Sequence, residues 1–545
     1  MSKGQRAPAR SRRLAAPACI ALALAAAGAQ AQTTAPAAPP AVPAPAAPAV
    51  FAIQGFKVTG ENPLGDGETA RVLAPFVRPD ATIETLQQAT QALETALRTK
   101  GYGLHRVALP PQEVGSTVRL EIVTFSVSKV AIDGRSLYDE GNVRRALPEL
   151  QEGRTPNFKT LAVQTAIANE NPNKQVQVGI REGDEPDKID ATITVKEQRP
   201  WTFSVSANNS GTESTGRDRL SITGGHTNLF NLDHQFTGAY TTSLERSSDV
   251  KQLGLAYKIP LYALGGVIGA SYTRSDVVGN FGAFSSTGAG RTAGISYTWY
   301  LPPDGGRRSY VALSLDDKLF KATRINDQLV PGALDRRSRP LTLGYNTRID
   351  GDNSIVAFNV DLAVNLPSGA ANELANYQSE DPRIETTRWK ALRGTASYLA
   401  PFGKGWLLNL RGAFQASSDV LISGEQFGLG GLGSVRGTSI ERPISGDYGL
   451  SGTAEVSTPE LAPGLRLSAF TDAGVLGNNR ANGTTRPGTD QLASVGVGLR
   501  WFSGPYSVTG DYGRLVRGSK VPLAFNSASP QRGDDRFYLS LGLRF

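Results

Sequence analysis

Three histidines, one cysteine and one glycine-rich hexapeptide are the first residues to weigh for chemistry in this 545-residue chain. His105, His226 and His234 do not stand at metal-ligand spacing with carboxylates, so they read as structural or surface residues. Cys19 lies in an N-terminal apolar run. Gly428-Leu429-Gly430-Gly431-Leu432-Gly433 satisfies G-x-G-x-x-G, but no βαβ unit surrounds it and no helix follows. A dinucleotide site is therefore not expected; the glycines instead let a loop bend tightly. No Walker A sequence and no G-x-S-x-G elbow occurs. The expectation is a protein that is not an enzyme, with no cofactor, no metal, no nucleotide and no nucleic acid.

The elements that would position such residues begin after a targeting segment. Lys3, Arg6, Arg10, Arg12 and Arg13 form a basic start, and Cys19–Gly28 an apolar run too short to span a bilayer. Ala29-Gln30-Ala31 fits an A-x-A cleavage site, so residues 1–31 read as a signal peptide, cut between Ala31 and Gln32. Anchoring as a lipoprotein at Cys19 fits less well, because the apolar run follows the cysteine. Cleavage removes five of the 57 basic residues and no acidic ones, leaving 52 against 49 and a formal charge of +3. The high pI therefore carries no message about nucleic acid. Cleavage also removes the sole cysteine, which suits transit through an oxidising compartment.

Residues 32–50 alternate Ala with Pro36, Pro39, Pro40, Pro43, Pro45 and Pro48. Fixed φ and missing N–H donors make this an extended linker. From Phe51 the pattern is strand, helix, helix, strand, strand. The strands fall at Phe51–Val58, Gly103–Leu109 and Thr117–Thr124. The helices fall at Glu68–Phe76 and Ile83–Lys100, the second with Ile83, Leu86, Thr90, Leu93 and Leu97 on one face. The order repeats with a strand at Val127–Asp133, helices at Tyr138–Leu147 and Phe158–Asn169, and strands at Gln175–Arg181 and Ala191–Lys196. Residues 51–124 and 125–198 are two α+β modules of about 75 residues each, an internal repeat.

Over 199–545 helical periodicity gives way to period 2. Trp201, Phe203, Val205 and Ala207 alternate with polar residues; Leu253, Leu255, Tyr257 and Ile259 do the same. The last segment is the clearest, with Phe537, Leu539, Leu541, Leu543 and Phe545 against Tyr538, Ser540, Gly542 and Arg544. One face is apolar and the other Ser-, Thr-, Gly-, Asn- and Arg-rich. Soluble sandwich strands also alternate, but an export signal and a terminal phenylalanine favour a mostly β fold closed as a transmembrane antiparallel barrel. At roughly 20–22 residues per strand and loop, the segment holds about 16 strands.

Two βααββ modules ahead of such a barrel resemble the transporters of two-partner (type V) secretion. These are the TpsB class, the haemolysin secretion/activation proteins of the ShlB, FhaC and HecB kind, and the modules would be POTRA domains. Three local matches carry the resemblance. Glu425-Gln426-Phe427, Gly430-Gly431 and Ser434-Val435-Arg436-Gly437 resemble the family's long loop with its VRG-aromatic tetrad. Phe470-Thr471-Asp472-Ala473-Gly474 resembles its F-x-D-x-G strand motif. Asn169-Glu170-Asn171-Pro172 with Val176 resembles a turn of its second POTRA domain. Thr438 stands where the tetrad has an aromatic residue, a departure that removes packing area.

The resemblance implies an outer-membrane location in a Gram-negative bacterium, with the POTRA domains in the periplasm. It implies a loop folded back into the lumen, where Arg436 meets Asp472 in a charge-assisted pair. It implies export, without ATP, of a large secreted partner of the haemolysin or haemagglutinin/adhesin (TpsA) type, amid outer-membrane lipid and lipopolysaccharide. The client would dock at the groove of Gly103–Leu109 and Ile83–Lys100. A helical plug from the proline-rich residues 32–50 is not expected. A barrel-assembly insertase and a passive porin or receptor remain as alternatives.

Overall fold

A computed structural model describes residues 50–545 apart from 114, 282, 323, 326 and 327. Ala29, Ala31 and residues 32–49 lie outside the described residues.

The first module contains β1 (Gly55–Gly60), α1 (Asp66–Leu73), α2 (Ile83–Thr99), β2 (His105–Ala108) and β3 (Thr117–Thr124). Helix α2 starts where Thr82 and Thr85 form a reciprocal capping box, and stops at Lys100. Gly101, at φ 101°, then turns the chain. Leu86, Ala89, Leu93 and Leu97 recur at three- and four-residue spacing and are buried. They pack on Val118, Leu120 and Ile122, alternate residues of β3. Two expectations shift. Ile83, in the first turn, is 62% exposed and lies off the buried face. The first strand begins at Gly55 and not Phe51, because Phe51 forms an isolated bridge with Ala81 ahead of α2. The sheet order is β1-β3-β2, which leaves β2 at an edge.

The second module repeats the plan with β4 (Ser126–Asp133), α3 (Glu140–Ala146), α4 (Phe158–Ala168), β5 (Lys174–Glu182) and β6 (Lys188–Glu197). Asp139 caps α3 and Asn157 caps α4 through side-chain oxygens. Only Phe125 separates β3 from β4, and its N–H donates to the Leu104 carbonyl. The Asn157 side chain also reaches back to the Lys100 carbonyl, so one module abuts the other.

Sixteen antiparallel strands then close on themselves. They are β7 (Trp201–Asn208), β8 (Arg219–Leu229), β9 (His234–Thr242), β10 (Lys251–Leu261), β11 (Gly266–Ser275), β12 (Gly290–Tyr300), β13 (Arg307–Phe320) and β14 (Pro340–Asp350). The second half is β15 (Ile355–Asn365), β16 (Lys390–Phe402), β17 (Trp406–Ala416), β18 (Tyr448–Ser457), β19 (Leu465–Gly477), β20 (Thr489–Ser503), β21 (Tyr506–Arg517) and β22 (Asp535–Arg544). Arg336–Ser338 extends the β13–β14 pairing beyond Arg339. Closure pairs β22 with β7 through five residue pairs, Ser540–Asn208 to Arg544–Ser204, where every other neighbouring pair of strands has at least eight.

The outer face is apolar: Leu253, Leu313, Leu315, Leu341, Leu343, Val495, Val497, Leu539 and Leu541 are all exposed. Trp201, Trp299, Phe402, Trp406, Phe502, Tyr506 and Phe545, also exposed, ring the end that faces the two modules. That is the aromatic girdle of a membrane barrel. No helix among the described residues is long and apolar enough to cross a membrane, so strands do it.

The second module is fastened to the barrel by a buried ion pair. Lys174, at the start of β5, is fully buried; its Nζ lies 2.5 Å from Asp233 Oδ2 in the β8–β9 turn and 2.8 Å from Asn142 Oδ1 of α3. Tyr262, between β10 and β11, donates to the same carboxylate at 2.8 Å. Burial lowers the Lys174 pKa, against which the attraction of Asp233 works. Around the pair, Asn142 Nδ2 donates to Asn228 Oδ1, and Asn171 Nδ2 donates to the Thr227 carbonyl. The Asn169–Pro172 turn therefore sits at the joint between module and barrel.

Removing one member of a buried pair strands the other, at roughly 3–5 kcal/mol. Lys174→Met should raise deuterium uptake over the β8–β9 turn of the detergent-solubilised protein. Adding Asp233→Asn, which leaves no charge buried, should restore much of the protection. Equal uptake in all three proteins would show that the pair does not hold the joint.

Candidate functional site

The lumen is crossed by the loop between β17 and β18, residues 417–447. A short hairpin, Phe427–Leu429 with Ile444–Gly446, forms its stem. Gly430 and Gly431, at φ 103° and 94°, open its tip. Those glycines belong to the G-x-G-x-x-G hexapeptide, which here is a loop bend. Leu432 and Gly433 border two lumen cavities. One is walled by Asn346, Arg348, Asn359 and Arg411. The other is walled by Asn209, Arg219, Gln252 and Asp511. Both linings are rich in polar groups, as a wet lumen requires.

Strand β19 presents the facing wall. Period 2 aims Phe470, Asp472 and Gly474 inward together, while Leu467 and Val475 face out and are exposed. Arg436 meets this face in a fork: Nε and Nη2 donate to Asp472 Oδ2 and Oδ1, each at 2.9 Å. The Arg436 backbone N–H adds a bond to Oδ2 at 3.1 Å. Both side chains are buried, 3% and 0% exposed, so solvent screening does not dissolve the pair. The guanidinium carbon also sits 3.2 Å from the centre of the Phe470 ring, a cation–π contact. At Gly474 a Cβ would come within 2.5 Å of the Leu429 side chain, so the wall is bare where the loop stem presses on it.

The structure adds partners that the motifs do not announce. Arg436 Nη1 donates to Glu455 Oε2 of β18 at 3.0 Å and to Asp511 Oδ1 of β21 at 3.1 Å. Arg500 of β20 shares Asp511 at 2.8 Å. Two guanidiniums and three carboxylates thus interlock four strands and the loop. The only sequence signal for Glu455 and Asp511 was that each is an acidic residue on the polar face of a strand.

Thr438 is buried and turned into the loop, its hydroxyl donating to the Ile440 carbonyl at 2.8 Å. Tyr538, from the polar face of β22, stands beside it. Its hydroxyl donates to the Thr438 carbonyl at 3.0 Å and accepts from the Gly437 N–H at 3.2 Å. Val435 is buried with Leu429, Leu476 and Leu515. On β22, Phe537, Leu539 and Leu541 are exposed, Leu543 is half-buried, and the Phe545 ring lies 5.7 Å from Phe203 of the first barrel strand. The histidines stand elsewhere: His105 is buried edge-on to Tyr102, His226 against Trp201, and His234 within 2.8 Å of the Tyr257 hydroxyl.

The model of the family described as haemolysin secretion/activation protein ShlB/FhaC/HecB matches residues 187–501. The chain belongs to that family. A ShlB-type POTRA domain model matches residues 51–124. The outer membrane transporter CdiB of Dickeya dadantii strain 3937 is 24% identical over 466 residues, 83% of this chain and 81% of that protein. The heme/hemopexin transporter protein HuxB of Haemophilus influenzae Rd is 22% identical over 381 residues, 68% of this chain and 65% of that protein. The solved structure of CdiB from Escherichia coli superposes with a TM-score of 0.72 at 21% identity, covering 93% of this chain and 92% of that one. CdiB from Acinetobacter baumannii superposes at 0.69 and 17% identity, covering 92% and 90%. This family member is an outer-membrane transporter of the two-partner secretion type, its barrel in the membrane and its POTRA modules in the periplasm.

Asp472→Asn should turn one arm of the fork from acceptor to donor, at a loss of about 1.5–3 kcal/mol. The barrel should remain heat-modifiable on gels, while trypsin gains access to the Arg436–Gly437 bond. Mass spectrometry of the fragments reads the cut; a bond as resistant as in the native chain would show that Glu455 and Asp511 hold Arg436 without it.

Proposed function

We propose that this transporter recognises an unfolded, large secreted partner of the TpsA type in the periplasm and passes it outward through the barrel without ATP. The observation that carries the reading is the lumen loop, fixed across a closed, polar-lined channel by the buried Arg436 cluster. A passage filled in this way opens only if the loop moves.

Docking belongs to the first POTRA module. Strand β2 is an edge, and α2 lies beside it. Gln87, Gln91, Glu94, Arg98 and Leu109 line the groove between them. An extended client segment would add to that edge through backbone hydrogen bonds, which tolerate many sequences, while the groove takes alternate side chains. Ile83 and Leu109, both exposed, offer apolar footing nearby. Folding of the client outside the cell would then draw the rest of it through. Outer-membrane lipid and lipopolysaccharide would surround the apolar wall.

In this reading Arg436 holds the loop in place and Asp472, with Phe470 and Gly474, receives it. The terminal strand, Phe537 to Phe545, would serve in recognition by the assembly machinery.

Co-expression with a large TpsA-type exported protein is the direct test; native transporter should bring it into the medium. Arg436→Ala should cut that export about tenfold or more while the barrel still inserts, and unchanged export would remove Arg436 from the mechanism. Deleting residues 51–124 should abolish capture of the partner in periplasmic pull-down. Capture that survives the deletion would place docking elsewhere.

A further inference from the structure

We infer that Glu425 is a second positioning residue of the lumen loop, an anchor of opposite charge that holds the loop to the other arc of the barrel. The inference deepens the proposed gating role of this loop and rests on that reading.

Eleven positions before Arg436, Glu425 is a loop carboxylate that is only 1% exposed. Its Oε1 accepts from Ser338 Oγ at 3.0 Å and lies 3.1 Å from Lys318 Nζ. Its Oε2 accepts from Arg393 Nη2 at 2.9 Å. The Glu425 backbone carbonyl takes a second bond from Arg393 and one from Gln415, both at 3.0 Å. Arg393 in turn lies over the Trp389 ring. These partners belong to β13, the extension of β14, β16 and β17. The Arg436 partners belong to β18, β19 and β21. The loop is therefore held by an anion among cations on one arc and by a cation among anions on the next.

The chemistry of the two anchors suits a part that moves. In an apolar core a broken ion pair leaves a charge without solvent. Here either group, once released, enters a wet lumen and is rehydrated. Such pairs specify a position sharply yet add little net stability, because the gain on pairing nearly cancels the cost of desolvation. Mixed polarity also fixes which arc each part of the loop can seat on, since Glu425 among the Arg436 carboxylates would be repelled.

Recording the full-length protein in planar bilayers tests this without any partner. Glu425→Gln keeps the shape and an acceptor for Ser338 but removes the charge. It should raise the ratio of open to closed time about tenfold, the equivalent of about 1.4 kcal/mol. The Arg436–Gly437 bond should stay resistant to trypsin, because the other anchor is intact. Glu425→Asp, which keeps the charge, should restore most of the closed time. Should Glu425→Gln fail to give a heat-modifiable barrel, Arg393→Gln breaks the same pair from the wall and is recorded instead. Native-like gating in the neutral variant, or equal gating in Glu425→Gln and Glu425→Asp, would overturn the inference. Failure of the native chain to export a partner would overturn the transport reading and leave these recordings unaffected.

Discussion

Hydrocarbon offers a backbone amide no hydrogen-bond partner, and the rest of this structure follows from that constraint. Every strand of residues 201–544 must satisfy its N–H and C=O groups on both sides, so the sheet has no choice but to close. Closure at sixteen strands leaves an interior too wide for wall side chains alone to fill. The apolar half of each alternating strand faces lipid. Whatever polar chemistry the chain possesses is therefore turned inward, where a loop can meet it.

The lumen loop solves the resulting problem with charge and not with grease. An apolar plug would gain stability from burial and would be costly to pull into water. Arg436, by contrast, is desolvated by Phe470 and saturated by three carboxylates, and water stands ready to replace each of those bonds. A loop seated in this way is exact in geometry and cheap to release. The joint between second POTRA module and barrel uses the same chemistry, with Lys174 and Asp233 both buried.

The two modules were legible in the repeated βααββ order, the Arg436–Asp472 meeting through the resemblance to the family, and the barrel because period 2 is a strict rule. It puts Phe470, Asp472 and Gly474 on one face whatever the rest of the fold does, and the resemblance to the family pointed at their partner. Glu455, Asp511 and Tyr538 were not legible. Their nearness to Arg436 depends on which strands neighbour β19 and in what register, and no local pattern encodes that. Lys174 was hidden for a related reason: its partner lies 59 residues away in a turn of a different domain. Ile83 fitted the helical period but fell in the first turn, where the helix has not yet reached the sheet. Phe51 has strand composition, yet Ala81 and not β3 takes its backbone. Thr438 looked like a loss of packing, and Tyr538, reaching in from the last strand, ties the Gly437–Thr438 backbone by hydrogen bonds.

The shortest seam of the cylinder joins residues 204–208 to residues 540–544. Its five pairs are thus the most distant in the chain, and they cannot exist until the final strand has been delivered. The Lys174 joint needs nothing beyond Tyr262 and is available far earlier. The second module is therefore seated on the first hairpins while the wall is still an open ribbon, and β7 must wait with a bare edge. Assembly of this protein is in that sense ordered by its own topology: first the Lys174 joint, last the seam of β22 with β7.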